Sequence, residues 1–447
     1  MKWGILRPSE LIIPLTLLAF IGPVITFLGG VLSTTTRWIF LLGLALYLLF
    51  VRHRDVAAIS RHPLFWMVMV YAIWCLTTIL WSEEPILSFV KSVGFVLLAV
   101  TMMVGGYSWV AHHERARTCD FLWLFAVFSL LASLFGQVEQ NIDVGSVVYG
   151  GLTGNPNALG FLLAITSVWL IWQALLAYQT DRNGFRLFMG LLAVNTYYLF
   201  LSHSRASLLI CAFIVLGLLL GLAQIRRWLP SLLVAVILAA LVYNFSLSVQ
   251  DVVNQYIYKS SLGYLESFEE GVEFGMWYSR AVIWEESYAR AIHGGLIGVG
   301  YGVNAGEKFV GEIGASLSSG QYGREHGNAQ MAILEQIGIV GFGIYLVLIL
   351  GIFRYAIRGL RRSRINADRV AIGLMGGAIV GLLVQSMLEA WWVAPGSPES
   401  ATFWMLLGAL LAVTARARQP ASLPSDQATA LDTTAGDSAM VTTGARS

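Results

Sequence analysis

Apolar runs of about twenty residues alternate with short polar connections along most of this chain. A run of about twenty residues crosses a hydrocarbon core of about 30 Å as a helix; several of these runs are shorter and read as tilted or partly re-entrant. The runs fall at 11–29, 38–51, 64–81, 86–106, 120–136, 158–178, 186–202, 206–224, 229–247, 331–353, 370–389 and 400–414. They predict an all-α, polytopic membrane protein with about twelve transmembrane helices. One long polar interval interrupts the alternation, between residues 248 and 330. Residues 1–414, this interval included, are expected to form one membrane domain, because no soluble block is large enough to bury a core of its own. After Val413 the chain turns to Ala, Thr, Ser and Asp without apolar period, so residues 415–447 are expected to be a disordered tail.

Composition agrees with this picture: 57% of residues are hydrophobic and 12% are charged, where soluble domains carry roughly 25% charged residues. A net charge of +2 gives no reason to expect a nucleic-acid partner; the expected surroundings are a lipid bilayer. Cys75, Cys119 and Cys211 lie in or beside apolar runs and predict no disulfide scaffold. Lys2 and Arg7 precede the first apolar run, which has no small-x-small cleavage pattern, so a retained first span is expected.

Lysine and arginine placement sets the expected orientation. With the N-terminus in the cytoplasm, Arg52, Arg54, Arg61, Arg115, Arg117, Arg182, Arg186, Arg226 and Arg227 all fall inside. So do Arg354, Arg358, Arg361, Arg362, Arg364, Arg369, Arg416 and Arg418. Both termini are then cytoplasmic and the long interval is outer, periplasmic in a bacterial inner membrane. The basic residues left outside are Arg37, Lys91, Arg205, Lys259, Arg280, Arg290, Lys308 and Arg324. Arg205 stands out, because Ser-His-Ser-Arg-Ala-Ser joins two spans with almost no loop and sets a charge at the membrane boundary.

The polar stretches carry the candidate chemistry. In Gly-Leu-Thr-Gly-Asn-Pro-Asn-Ala-Leu-Gly, Asn155 or Asn157 reads as the cap of the next helix or as polar lining for a sugar or phosphate. Ala281, Trp284, Tyr288 and Ile292 share one helical stripe, on a helix that lies along the membrane or covers a cavity. Gly294, Gly295, Gly298, Gly300 and Gly302 follow, read either as a tight irregular loop or as backbone that lets amides approach an anion. Of seven histidines, His203, His293 and His326 are outer. Neutral imidazole suits removal of a proton from a hydroxyl, and arginine suits clamping phosphate. Arg205, Arg280 and His326 on one membrane face would make a site for displacing a diphosphate from an anomeric carbon. No Asp-x-Asp occurs and outer aspartates are few, so no metal and no cofactor is expected. Glu285, Glu286 and Glu325 read as helix-surface charges, Glu325 also as an orienter of His326.

Three stretches in order resemble the superfamily of O-antigen ligases and O-antigen or exopolysaccharide polymerases. They are Leu-Thr-Gly-Asn-Pro-Asn-Ala-Leu-Gly, Leu-Ser-His-Ser-Arg-Ala-Ser, and a long outer loop ending in Glu-His-Gly-Asn-Ala-Gln and Gln-Ile-Gly-Ile-Val-Gly. The resemblance covers roughly residues 60–410. It implies a GT-C-like membrane glycosyltransferase that works without metal or nucleotide sugar. The implied donor is a glycan on undecaprenyl diphosphate, and the implied acceptor is lipid A core or another lipid-linked repeat unit. By position, the family's serine-arginine motif falls on Arg205, its loop arginine on Arg280, and its His-Asn motif on His326. Here Gly327 separates His326 from Asn328, and Gly217 is one residue off the arginine-glycine spacing of some polymerases. Asn155, Asn157, Ser204, Tyr278 and Asn328 are expected to line the substrate site. The competing expectations are a secondary transporter or flippase for a lipid-linked or anionic substrate, and a structural membrane partner. A transporter buries ionisable groups within its spans and breaks helices; here Lys91 is the main charge within a span, near its outer end, Glu389 closes another, and the ionisable groups are otherwise expected to cluster outside.

Overall fold

The structure, a computed structural model, describes residues 10–136, 138–141, 146–222, 284–304 and 327–417. In chain order its main helices are α1 (Ile12–Ile21), α2 (Thr34–Phe50), α3 (His53–Ile59), α4 (Pro63–Thr77), α5 (Pro85–His112) and α6 (Trp123–Leu134). They continue with α7 (Pro156–Thr180), α8 (Arg182–Leu201) and α9 (Arg205–Gly221). After α10 (residues 284–293) come α11 (Ala329–Arg362), α12 (Asn366–Gln385) and α13 (Pro398–Arg416). An antiparallel hairpin of β1 (Val138–Asn141) and β2 (Ser146–Tyr149), which hydropathy did not suggest, stands between α6 and α7. The Tyr149 hydroxyl anchors it by donating to the Ser133 carbonyl at 2.6 Å.

Among the described residues, eight helical stretches are long and apolar enough to cross a membrane: Pro63–Leu80, Pro85–His112, Arg115–Leu134, Pro156–Tyr178, Arg182–Leu201, Ala329–Arg362, Asn366–Gln385 and Pro398–Arg416. These are the hallmarks of a multi-pass membrane protein. Three expected spans take another form. Run 11–29 divides where Pro23 opens a separate 3-10 turn after α1, as proline interrupts helical hydrogen bonding. Run 38–51 lies on α2, which bends by 89° into α3. Run 206–224 lies on α9, a shorter apolar helix of 17 residues. Run 229–247 lies outside the described residues.

Two glycine seams draw helices into backbone contact. A Cβ on Gly106 of α5 would strike the Met405 carbonyl of α13, and one on Gly408 would strike the Met103 carbonyl. Between α9 and α12 the antiparallel register is read from such contacts: Gly221 against Arg369, Gly217 against Gly373, Gly377 against Phe213 and Gly381 against Ile210. Lipid tails are as apolar as leucine, so helices in a bilayer associate through close packing of this kind.

Charge pairs gather at one end of the bundle. Fully buried Asp368 accepts hydrogen bonds from Arg115 Nε at 3.3 Å and Arg416 Nη2 at 2.8 Å. Asp55 accepts from Ser108 Oγ at 2.7 Å and lies 2.9 Å from His112 Nε2. The opposite end carries the motif-bearing turns.

Candidate functional site

The α8–α9 turn is as tight as its sequence suggests. His203 adopts φ 51, the one positive φ outside glycine among the described residues. Histidine tolerates the left-handed region better than bulky or branched residues do. The turn sets Arg205 as the first residue of α9, half-buried, directly after fully buried Ser204. Ser204 Oγ and Ser207 Oγ are 2.7 Å apart. The start of α7 closes over this pair, since a Cβ on Gly160 would lie 2.7 Å from Ser207 Oγ and 2.9 Å from Ser204 Oγ. The Asn-Pro-Asn and Ser-His-Ser-Arg motifs therefore form one wall. Asn155 caps α7, its Oδ1 accepting from Asn157 N at 2.9 Å and Ala158 N at 3.2 Å. Asn157 is exposed beside it.

The α9–α12 register carries this wall to the third motif. The contacting pairs run Gly221–Arg369, Gly217–Gly373 and Ile210–Gly381; continued outward, they set Arg205 level with the Gln385–Ser386 turn. That turn also holds the start of α11. The Ser386 carbonyl accepts from Ala329 N at 2.8 Å, and its Oγ accepts from Gln330 Nε2 at 2.9 Å. Asn328 caps α11, with Oδ1 receiving Gln330 N at 2.9 Å and Met331 N at 3.1 Å. Gly327, the residue that departs from the His-Asn pattern, has φ 52, so the insertion sits where glycine is favoured. Arg205, by this register, and Asn328, through its neighbours Ala329 and Gln330, lie at the level of the last turn of α12. Arg280, Tyr278 and His326 lie outside the described residues.

Beneath this turn α11 is broken. Gly338 takes φ 70 and ψ −177, which releases helical donors and acceptors on both sides. The glycine run takes them up. Val299 N donates to the Glu335 carbonyl at 3.1 Å, and Gly300 N to the Gln336 carbonyl at 3.0 Å. Ile339 N and Val340 N donate to the carbonyls of Gly295 and Leu296, each at 3.1 Å. Trp74 Nε1 completes the set at the Ile337 carbonyl, 3.0 Å away. Backbone polar groups at membrane depth must be satisfied internally, and this splice does so. Gly302 N is likewise engaged by Gln336 Oε1 at 2.8 Å, and Tyr301 N by Thr78 Oγ1 at 2.9 Å. The amides of Gly294–Gly302 are thus engaged within a tight irregular loop: Gly294, Gly295 and Gly298 bond within their own turns, Val299 and Gly300 complete α11, and Tyr301 and Gly302 meet side chains, so the anion-cradle alternative does not hold. Of the stripe on α10, Tyr288 and Ile292 are exposed together at 61% and 63%, while the buried face is formed by Ser287 and Ala291, which lie off the stripe.

Lys91, a charge inside a span near its outer end, is buried against the glycine segment. Counted with the outer basic residues, it is 2% exposed within α5, and Nζ donates to the Gly302 carbonyl at 3.1 Å. Glu335, in the apolar run 331–353, is fully buried too. Lys91 lies within its span near the outer end, as expected, whereas Glu335 is a buried ionisable group that the expectation of outer clustering did not include. Among the described residues no three His, Cys, Asp or Glu side chains gather as a metal-ligand set. What the described site can offer is a half-buried guanidinium, serine hydroxyls and asparagine amides at one end of the bundle, over a floor of buried polar groups. No protein-family model matches the chain, and none of the curated proteins matches it.

Proposed function

We propose that the chain is a membrane glycosyltransferase of the O-antigen ligase and polymerase type, with a GT-C-like frame of about twelve spans. The observation that supports the reading is that two of its three motifs, Ser204-Arg205 by helix register and Asn328 through Ala329 and Gln330, lie level with the Gln385–Ser386 turn. His326 is two residues before Asn328 in sequence. In this reading an acceptor hydroxyl attacks the anomeric carbon of a glycan on undecaprenyl diphosphate. The C–O bond to the diphosphate breaks as the new glycosidic bond forms, and the proton passes to His326. Arg205 and Arg280 stabilise charge developing on the departing diphosphate. Ser204, Asn155, Asn157, Tyr278 and Asn328 line the donor or acceptor path, and the site faces the periplasm of a bacterial inner membrane.

The test is transfer by purified protein from a lipid-diphosphate-linked glycan to lipid A core or to a second lipid-linked repeat. Arg205→Ala and Arg280→Ala are expected to abolish transfer while the protein still inserts. His326→Ala is expected to slow it by about 10²–10⁴-fold, the range for loss of a general base. Full transfer by the Arg205→Ala protein would overturn the assignment. Activity is expected to survive a strong chelator; loss that magnesium restores would replace the metal-free mechanism.

Buried Lys91 and Glu335 and the break in α11 favour a second reading, a transporter or flippase for a lipid-linked or anionic substrate. The bonds at the break go to the glycine run and Trp74, which suits a fixed scaffold as well as a transport site. Proteoliposomes decide between the two: movement of the lipid-linked glycan across the bilayer without a new glycosidic bond selects the transporter.

A further inference from the structure

The lipid-facing stripe of α11 changes chemistry along its length. Val340, Val347 and Leu350 are exposed, Leu350 at 67%. The same helical stripe then continues through Arg354, Ile357, Arg358 and Arg361, all exposed. Spacings of three and four keep these residues on one side of the helix. Arg354 follows Leu350 by one turn, so the guanidinium groups begin where the hydrocarbon-facing side chains stop.

Helix α4 lies alongside in antiparallel register. Gly351 meets Leu64 and Met67, and Gly341 meets Trp74. Exposed Arg61 precedes α4 by two residues, and its neighbour His62 meets Tyr355, the residue after Arg354, so Arg61 and Arg354 lie at the same end of the two helices. The His62 and Tyr355 rings, 4.4 Å apart between centroids, hold the two ends together. Helix α4 has its own exposed apolar stripe of Trp66, Val70 and Ile73, at 58%, 51% and 52%. Trp66 sits just inside the arginines, the depth that amphipathic rings favour at a membrane boundary. No Asp or Glu occurs between Val56 and Ser82, or between Gln336 and Ala367. The nearest carboxylates along the chain, Asp55 and Asp368, are engaged by Ser108 and by Arg115 and Arg416. Arg362 and Arg364 extend the cationic face.

We infer that the α4–α11 seam is a binding site for a glycerophospholipid with an anionic headgroup. Its phosphate sits among Arg61, Arg354 and Arg358, and its acyl chains run along the Trp66–Ile73 and Val340–Leu350 stripes. Charge complementarity selects the headgroup and the apolar stripes select a lipid over a soluble anion. The inference needs only the membrane placement of these helices and is independent of the transfer reaction.

The experiment uses the full-length protein in mild detergent micelles containing phosphatidylglycerol or phosphatidylcholine. Bound lipid is read by native mass spectrometry and the thermal midpoint by intrinsic fluorescence. Phosphatidylglycerol is expected to stay bound and to raise the midpoint more than phosphatidylcholine does. The double variant Arg354→Gln/Arg358→Gln is expected to weaken its retention by roughly tenfold or more, with an unchanged circular dichroism spectrum. Lysine at both positions should restore much of the binding, and Arg186→Gln on α8 should leave it intact. Equal stabilisation by the two lipids, or undiminished retention in the double glutamine variant, would overturn the site and leave these arginines as orientation signals only.

Discussion

Asn328 caps α11 within one of the motifs of the proposed site. Its Oδ1 receives two amides of the first turn of α11, so Asn328→Ala is expected to cost about 1 kcal/mol of stability, as lost helix caps do. Asn328→Asp keeps the cap; denaturant unfolding of the two variants separates capping from any role of the amide in transfer. Asn155 was legible as a cap because Asn-Pro-Asn carries the turn within three residues. Asn328 was harder to read, since the preceding histidine drew its motif toward chemistry. Lys91 was illegible, because its acceptor lies 211 residues away along the chain. Single residues of this chain are thus readable when their partners are local. Lys91→Met should loosen the Gly302 carbonyl, measurable as faster amide exchange at residues 300–303 than in the parent protein.

The helices themselves follow hydropathy closely, and the break in α11 does not. Gln-Ile-Gly-Ile-Val-Gly reads as an uninterrupted apolar entry to a span. Two glycines in that span behave oppositely. Gly338 combines positive φ with extended ψ, a region open essentially to glycine alone, and a Cβ there would strike the Leu296 carbonyl, whereas a Cβ on Gly343 would meet nothing within 4 Å. Gly338→Ala is expected to destabilise by at least about 1–3 kcal/mol, the cost of holding a residue with a Cβ in that region. Gly343→Ala should be neutral or mildly stabilising, since alanine loses less entropy in a helix. Matching midpoints for the two variants in a thermal melt would contradict the splice. Gly217, read in sequence as an off-register member of an arginine–glycine pair, is a contact between α9 and α12. Gly217→Leu should therefore push the helices apart and displace the Arg205 turn, lowering transfer without touching substrate.

At the scale of the molecule, the buried charge pairs and the motif turns occupy opposite ends of the bundle. That division is the one lysine and arginine placement suggested, with the motif end outward. It is checked in a background lacking Cys75, Cys119 and Cys211. Asn157→Cys is expected to react with an impermeant thiol reagent in intact cells, and Asn183→Cys only after lysis; the reverse result inverts the orientation. Span number was less legible than class, because α1 and α2 end at a proline turn and a sharp bend that an apolar count cannot see. The α11 splice has a consequence for biogenesis. The partners of the broken helix, residues 295–300, leave the ribosome before the helix does. The nascent chain must hold that glycine segment in waiting until α11 arrives, so a pause or premature stop between Asn304 and Asn328 would strand a half-made protein with an unfilled socket.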